Sequence, residues 1–251
     1  MSRFTARWRG RLHRALHMPG KLLRYYGDYR NFAQRNDGRL RLRFAERYPC
    51  LDDATGHTGF DAHYVYHTAW AARLLQEQGV TEHVDFGSCL RFVTLISAST
   101  HVTFYDYRPP QLSLHNLECR AADLTNLSAI PDASLHSLSC MHVVEHIGMG
   151  RYGDTVDPQA DLRAMGELRR VSAPGGRLLF VVPVGEPCVM FNAHRIYSYA
   201  QVLAQFQGFR LREFALVTDH GEFVAQADAA LADQQRYGCG CFWFERVGDD
   251  G

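Results

Sequence analysis

The chain has 251 residues, 46% of them hydrophobic, and a formal net charge of zero at pH 7. This length and composition suit one globular domain with an extension, and the balanced charge argues against bulk binding of nucleic acid. No apolar stretch approaches the ~20 residues of a membrane-spanning helix, and the N-terminus lacks the apolar core of a secretory signal. The sequence therefore predicts a cytoplasmic protein.

Cysteine usage fits a reducing compartment. The chain has seven cysteines, an odd number, and contains no Cys-x-x-Cys pair, so the spacing indicates neither a disulfide framework nor a zinc site. Five scattered cysteines are interpreted as small buried hydrophobic residues, namely Cys50, Cys89, Cys119, Cys140 and Cys188.

The N-terminal part of the chain is strongly basic. Residues 1–50 carry 13 Arg or Lys against 3 Asp or Glu, and the rest of the chain carries an equal acidic excess. Residues 1–35 are predicted to be helical, with a break at Pro19-Gly20. Three interpretations remain open for this segment: a helix on an anionic membrane surface, a helix packed on the next domain, and an organellar transit segment.

The main domain is predicted to begin near Phe60. Residues 1–59 form the basic extension with a loop, and residues 60–251 form the domain. A first helix is expected from Phe60 to Gln78, with Tyr64 and His67 on its apolar face. Gly79 ends it.

A strand, a tight turn and a helix are predicted around residues 83–88, whose sequence is His-Val-Asp-Phe-Gly-Ser. Gly87 lets the backbone lie close to a ligand. The free N–H groups at the start of the next helix favour electron-rich ligand atoms. This segment is therefore the first candidate for a ligand-binding loop.

The next predicted strands also end in polar residues. Residues 101–105 lead to Asp106, residues 117–122 lead to Asp123, and residues 135–141 lead to a cluster of His142, Glu145 and His146. Ligands of open α/β sheets bind outside the carboxyl ends of the strands. Asp106 is suited to ribose hydroxyls and Asp123 to an adenine amine.

The last two strands are predicted at residues 210–217 and 241–247. We expect them to be antiparallel neighbours at the edge of the sheet. The all-apolar run at residues 178–182 predicts a strand that is covered on both faces.

These motifs resemble the class I S-adenosylmethionine-dependent methyltransferases over roughly residues 80–218. The resemblance implies an α/β, Rossmann-like fold with a mostly parallel seven-stranded sheet and an antiparallel edge strand. Blocks around residues 63–73, 148–157 and 191–197 are similar to an uncharacterised methyltransferase-like family that is loosely associated with polysaccharide modification. S-adenosylmethionine is the implied cofactor, and its implied contacts are Asp85, Gly87, Ser88, Asp106, Tyr107, Asp123, Leu124 and His142.

Methyl transfer to a hydroxyl needs a base, and histidine suits that task near pH 7. His146 is the first candidate and His194 the second, with Glu145 orienting the imidazole. Polar side chains suited to a sugar or glycan acceptor are Asn192, Arg195, Tyr197 and Tyr64. The predicted function is O-methylation of such an acceptor.

Four alternatives fit part of this pattern. A nicotinamide cofactor normally needs Gly-x-Gly-x-x-Gly, but Cys89 replaces the second glycine, so a cofactor without phosphates fits better. Cys89 also leaves open a non-catalytic scaffold that kept the fold. His142, Glu145 and His146 match a zinc-hydrolase pattern, and Glu145, His146, Asp154 and Asp157 could hold Mg²⁺. No metal is predicted, although a divalent ion is compatible with these side chains.

Overall fold

The computed structural model describes the backbone of residues 3–248 and the side chains of residues 17–248. The chain divides into two compact units, Met1–Gly59 and Phe60–Gly251. In the part of the chain that the structure describes, no helix is both long enough and apolar enough to cross a membrane.

The first unit contains one long helix, α1 (Arg3–Arg35), and a short 3-10 turn at Phe44–Glu46. The predicted break at Pro19-Gly20 is wrong, because α1 continues through Pro19. A proline inside a helix lowers its stability by about 3 kcal/mol. Contacts made by residues that follow Pro19 offset this cost. Tyr29 packs against Phe44 with ring centroids 5.4 Å apart, and other such contacts are Tyr26 with Phe44 and an ion pair between Lys21 and Asp52. The apolar positions predicted at residues 4–16 lie outside the described side chains.

The second unit alternates helices and strands. Its helices are α2 (Ala62–Glu77), α3 (Leu90–Ile96), α4 (Ala160–Val171), α5 (Tyr199–Gln205) and α6 (Ala229–Asp233), with a 3-10 turn at Val144–His146. Its strands are β1 (Glu82–Phe86), β2 (His101–Asp106), β3 (Leu117–Ala121), β4 (Leu135–Met141), β5 (Ser172–Val184), β6 (Cys188–Met190), β7 (His194–Ile196), β8 (Phe209–Val217), β9 (Phe223–Val224) and β10 (Gly238–Arg246).

One mixed sheet organises this unit, in the order β3-β2-β1-β4-β5-β10-β8-β9. Strands β1 to β5 are parallel, and β10 runs antiparallel between β5 and β8. The predicted Rossmann-like α/β fold is confirmed, with eight strands instead of seven. The predicted antiparallel strands at one edge of the sheet are confirmed: β8 and β10 pair with each other on this side. The two-residue β9, which was not predicted, adds one further antiparallel strand beyond β8.

Apolar side chains cover both faces of the sheet. Helices α4, α5 and α6 pack on one face through residues such as Leu168, Val202 and Ala232. Helices α2 and α3 pack on the other face, for example through Trp70 and Phe92. Residues 178–182 of β5 are fully buried between these layers, as predicted. The carboxyl ends of the parallel strands therefore lie at one edge of a closed core.

All seven cysteines lie in the described part of the chain, and each is a free thiol. Cys140, Cys239 and Cys241 are buried. The prediction of burial is wrong for Cys50 and Cys188, which are exposed because they lie in a loop and in the short β6–β7 hairpin.

Candidate active site

A cavity of about 550 Å³ opens at the carboxyl ends of the parallel strands. Seven of the predicted cofactor and catalytic residues line it, and they come from four different strand ends: Gly87, Asp106, Tyr107, Asp123, Leu124, His142 and His146. Two other predicted cofactor contacts, Asp85 and Ser88, do not line the cavity.

The turn after β1 forms the floor of the cavity. Gly87 has a φ of +74°, and its N–H donates to the carbonyl of Tyr105 at 2.8 Å. A Cβ atom at this position would lie 3.1 Å from Cγ1 of Val143. Glycine is therefore required both by the backbone conformation and by the close approach of the next loop.

Asp85 supports this turn from below. It is completely buried, its Oδ1 accepts from the N–H of Ser88 at 2.9 Å, and its Oδ2 accepts from the hydroxyl of Ser139. Burial raises its pKa to about 6. The hydroxyl of Ser88 accepts from the N–H of Met141 at 3.0 Å. The prediction that Asp85 and Ser88 contact the cofactor is thus corrected, because both residues stabilise the turn after β1.

A buried histidine extends this network away from the cavity. His83 lies between two hydroxyls, with Nδ1 2.9 Å from Ser137 Oγ and Nε2 2.8 Å from Ser139 Oγ. Burial lowers its pKa to about 3. The imidazole is therefore neutral, and it connects β1 to β4 without carrying a charge.

The acids after β2 and β3 lie on the cavity wall. Oδ1 of Asp106 accepts from the N–H of Arg108 at 2.7 Å. Oδ1 of Asp123 accepts from the N–H and the hydroxyl of Thr125 at 2.8 and 2.7 Å. These local turns orient both carboxylates. Apolar side chains complete this part of the wall, namely Phe86, Leu124, Val143 and Ile147.

The loop after β4 contains a buried histidine and glutamate pair. Nδ1 of His142 lies 2.8 Å from Oε1 of Glu145, and Glu145 is 1% exposed. Burial raises the pKa of Glu145 to about 7 and lowers that of His142 to about 4. His142 is therefore a neutral imidazole whose Nδ1–H donates to the carboxylate.

His146 has the geometry of a base. Its Nδ1 lies 2.5 Å from the carbonyl of Ala193, so Nδ1 carries the proton and Nε2 is an acceptor. Nε2 lies 3.7 Å from Oε1 of Glu145, and the ring lines the cavity. His194, the second candidate, does not line the cavity. Its ring centroid is 6.4 Å from that of His146 and 4.6 Å from that of Tyr237.

None of the four predicted acceptor contacts lines the cavity wall. Arg195 is buried and donates to the carbonyls of Ile147 and Pro158 at 2.7 and 3.3 Å. Tyr197 is buried and donates to Asp161 at 2.9 Å. The prediction that Arg195 and Tyr197 bind the acceptor is therefore corrected. Their polar atoms bind other parts of the protein, and together they connect the loop after β4, the end of β7 and α4.

Asn192 and Tyr64 are exposed and lie outside the cavity lining. Asn192 occupies the β6–β7 turn with a φ of +64°. Tyr64 packs against His142 with ring centroids 5.5 Å apart. Tyr64 is therefore next to a cavity residue, whereas Asn192 belongs to the hairpin turn.

The metal sites considered from the sequence are not assembled. Val144–His146 is a single 3-10 turn, so His142 and His146 do not share a helix face. Asp154 accepts from three backbone N–H groups of its own loop, and Asp157 pairs with Arg163. Within residues 17–248, the group with metal-site geometry is a different one: His63, His142 and Cys239.

Sequence reasoning missed His63 and Cys239. The three residues of this group lie far apart in the chain, so no spacing motif could reveal them. A weaker signal was present, because Cys239 is flanked by Gly238 and Gly240 and followed by Cys241 in a strand. Glycines inside a strand mark close approach by another element.

Of the comparisons with known proteins, the solved structures bear on the fold. A family model described as "Caenorhabditis protein of unknown function, DUF268" matches residues 122–231. No curated protein matches the chain.

Many solved structures match, and three illustrate the likeness. The N-methyltransferase NodS from Bradyrhizobium japonicum, in complex with S-adenosylhomocysteine, is 15% identical with a TM-score of 0.51, and the match covers 78% of this chain and 90% of that one. The 1,6-didemethyltoxoflavin-N1-methyltransferase from Burkholderia thailandensis, also with S-adenosylhomocysteine, is 11% identical with a TM-score of 0.52, covering 72% and 79%.

A putative methyltransferase in complex with the Haloferax volcanii Trm112 activator is 15% identical with a TM-score of 0.52, covering 76% and 92% of the two chains. Residues 60–251 therefore have the fold of class I S-adenosylmethionine-dependent methyltransferases. At these identities the likeness establishes the fold alone.

Proposed function

We propose that this protein is an S-adenosylmethionine-dependent methyltransferase that methylates a hydroxyl of a sugar or glycan. The observation that carries the proposal is the position of Asp106 and Asp123. They follow neighbouring parallel strands and line one cavity together with the backbone of Gly87. In this fold, such acids suit the ribose and the adenine of a nucleoside.

The residues present fit this cofactor. The cavity volume of about 550 Å³ lies within the ordinary range of small-molecule sites. Asp106 can accept from ribose hydroxyls and Asp123 from the adenine amine, while Leu124 and Val143 offer apolar surface to the base. The turn at Gly87 lacks a second glycine for a pyrophosphate. When bound, the cofactor supplies an electrophilic methyl group.

His146 is the base in this proposal. Its Nε2 accepts the proton of the acceptor hydroxyl, while the carbonyl of Ala193 keeps the other proton on Nδ1. The imidazolium that forms lies beside Oε1 of Glu145, 3.7 Å from Nε2. The carboxylate stabilises this charge.

Three polar side chains of the cavity wall support a polar acceptor, namely Tyr152, Thr155 and Arg163. A sugar can pack its C–H face on the tyrosine ring and share hydrogen bonds with the other two side chains. The choice of a glycan follows the sequence resemblance.

Titration calorimetry with S-adenosylmethionine tests the cofactor. The wild type should bind, and Asp106→Asn should weaken binding about 10- to 100-fold, because a charged hydrogen-bond acceptor is lost. Asp132→Asn is the matched control, since Asp132 is an exposed acid in the loop before β4 and pairs with Arg170. A folded wild type that does not bind S-adenosylmethionine would remove the proposal in favour of a scaffold.

Transfer of a tritiated methyl group tests the acceptor. Monosaccharides and polysaccharides should be labelled, and proteins and phospholipids should not. Cofactor binding together with labelling of another class would overturn the glycan assignment alone.

Contact of residues 1–35 with an anionic membrane, one of the three interpretations left open above, is a separate proposal that rests on the basic excess of that segment. The full chain should co-sediment with vesicles that contain phosphatidylserine and not with vesicles of phosphatidylcholine. Indifference to the anionic lipid would remove it.

A further inference from the structure

Three side chains of the second unit converge beside the cavity. His63 lies in the first turn of α2, His142 follows β4, and Cys239 is the second residue of β10. Each offers one ligand atom, and these atoms lie within 4.8 Å of one another. Imidazole nitrogen and thiolate sulfur are the ligands that zinc prefers.

One nitrogen of His142 is left without a hydrogen bond. His142 is 8% exposed, its Nδ1 is used by Glu145, and its Nε2 is buried with no hydrogen-bond partner. A buried lone pair with no donor is unfavourable unless another group binds it. A carboxylate that holds Nδ1–H and leaves Nε2 for an ion is the arrangement found behind metal-binding histidines.

We propose that His63, His142 and Cys239 bind one zinc ion beside the cavity, with Glu145 orienting His142. Three protein ligands leave a fourth tetrahedral position for a water molecule or an acceptor hydroxyl. The proposal concerns metal binding, so it does not depend on the methyl-transfer reaction.

The distances are compatible with this ion. Zinc–nitrogen bonds of about 2.0 Å and a zinc–sulfur bond of about 2.3 Å place these tetrahedral ligand atoms roughly 3.3–3.5 Å apart. Ligand atoms that lie as far apart as 4.8 Å would have to close by roughly 1.3–1.5 Å. The half-buried ring of His63 stacks on His142 and on Tyr237, with centroid distances of 5.6 and 5.0 Å, so closure requires a shift of this ring.

The protonation states also suit ligation. Burial lowers the pKa of both His63 and His142 to about 4, so both rings are neutral near pH 7. Burial raises the pKa of the Cys239 thiol, which therefore carries its proton before the ion binds. Formation of the zinc–sulfur bond releases that proton to solvent, so binding should strengthen as the pH rises.

The group adjoins the cavity through His142, which lines the cavity wall, whereas Cys239 has no exposed surface.

Equilibrium dialysis with zinc chloride, followed by mass spectrometry for metal content, tests the site on the full chain after chelation. The wild type should bind one zinc per chain. Cys239→Ser and His142→Gln should weaken binding at least about 100-fold. Cobalt(II) substitution adds a second measurement, because cobalt bound to a thiolate absorbs in the near ultraviolet and that band should vanish in Cys239→Ser.

Cys241→Ser is the matched control. Cys241 is equally buried on the same strand, with its Sγ 3.9 Å from that of Cys239, and it is not a member of the group. This variant should keep the zinc and the cobalt band. His63→Gln serves if the buried variants fail to fold, because His63 is half-buried, and it too should lose the ion. Absence of stoichiometric zinc in the folded wild type, or equal loss in Cys239→Ser and Cys241→Ser, would overturn the proposal.

Discussion

The two sides of the cavity are built in different ways. The side after β1, β2 and β3 uses Gly87, Asp106 and Asp123, each held by hydrogen bonds to residues within its own turn or the next strand. The side after β4 draws on α2, the β6–β7 hairpin and β10, which are distant in the chain. The first side is therefore a set of local motifs, and the second exists only after folding.

The electrostatics differ as well. Asp106 and Asp123 are accessible at the cavity wall, where their carboxyl oxygens can accept hydrogen bonds from a ligand. On the other side burial dominates: it raises the pKa of Glu145 to about 7 and lowers that of His67 to about 3. One side thus offers accessible acceptors, and the other offers buried groups whose pKa values are shifted by their surroundings.

Removing the base should give the largest effect. We expect His146→Ala to slow methyl transfer by about 10²- to 10⁴-fold, because a positioned base contributes about that much. The affinity for S-adenosylmethionine should stay within a few-fold of the wild type. Transfer rates under single-turnover conditions check this. His136→Ala, an exposed histidine at the start of β4, is the control. A loss of less than three-fold in His146→Ala would contradict the role.

The next prediction compares Asp85, which stabilises the turn after β1, with Asp106, which is proposed to bind the cofactor. Asp85→Ala leaves the buried N–H of Ser88 unpaired and removes the hydrogen bond that the hydroxyl of Ser139 donates, although that hydroxyl keeps its contact with His83. We expect the free energy of unfolding in urea to fall by about 3 kcal/mol. Asp106→Ala should change it by less than about 0.5 kcal/mol, since Asp106 accepts one hydrogen bond at the surface. Equal losses of unfolding free energy in Asp85→Ala and Asp106→Ala would contradict the structural role of Asp85.

The pH dependence of stability sharpens the same contrast. The folded pKa of His83 is lowered to about 3, below the unfolded value of about 6.5, so its contribution is complete above pH 6.5 and declines as the pH falls. Between pH 6.5 and 5 the wild type should lose about 2 kcal/mol relative to His83→Gln. Asp85, whose folded pKa is raised, has the opposite dependence but is present in both proteins. Urea titrations at several pH values measure the difference, and parallel curves would contradict the assignment.

The smallest effect concerns the floor of the cavity. Gly87→Ala should destabilise the fold by about 1–2 kcal/mol, because alanine is strained at a φ of +74° and its Cβ presses on Val143. Gly166→Ala is the control, since Gly166 lies inside α4 with open space around it, and it should stabilise by up to about 1 kcal/mol. Thermal denaturation of both variants measures the two changes in stability. Changes of the same sign would contradict the prediction.

Much of the fold followed from local patterns. The strand, turn and helix at residues 83–96 were predicted where they occur, and so were the strands that lead to Asp106 and Asp123. The reason is that the hydrophobic period, the helix-breaking residues and the acids near the strand ends can each be recognised within a few residues of sequence. The interior position of β10 was not predicted, since pairing partners depend on long-range register. The course of α1 through Pro19 was missed because local propensity was overridden by later contacts.

The sequence predicted some residues of the candidate site correctly and gave others the wrong role. Asp106, Asp123 and His146 were placed in one cavity, as expected from strand ends. Asp85, Arg195 and Tyr197 were assigned to ligands, yet their polar atoms bond to the protein. Sequence shows that a side chain is polar but not which partner takes its hydrogen bonds.

The sequence by itself determined the alternation of helices and strands, the glycine turn and the acids that follow β2 and β3. Tertiary structure alone decided which polar groups are buried, and it brought His63, His142 and Cys239 to within 4.8 Å of one another. The physical reason is that periodicity and turn chemistry act over a few residues. Burial, hydrogen-bond partners and pKa values depend instead on atoms supplied by distant parts of the chain.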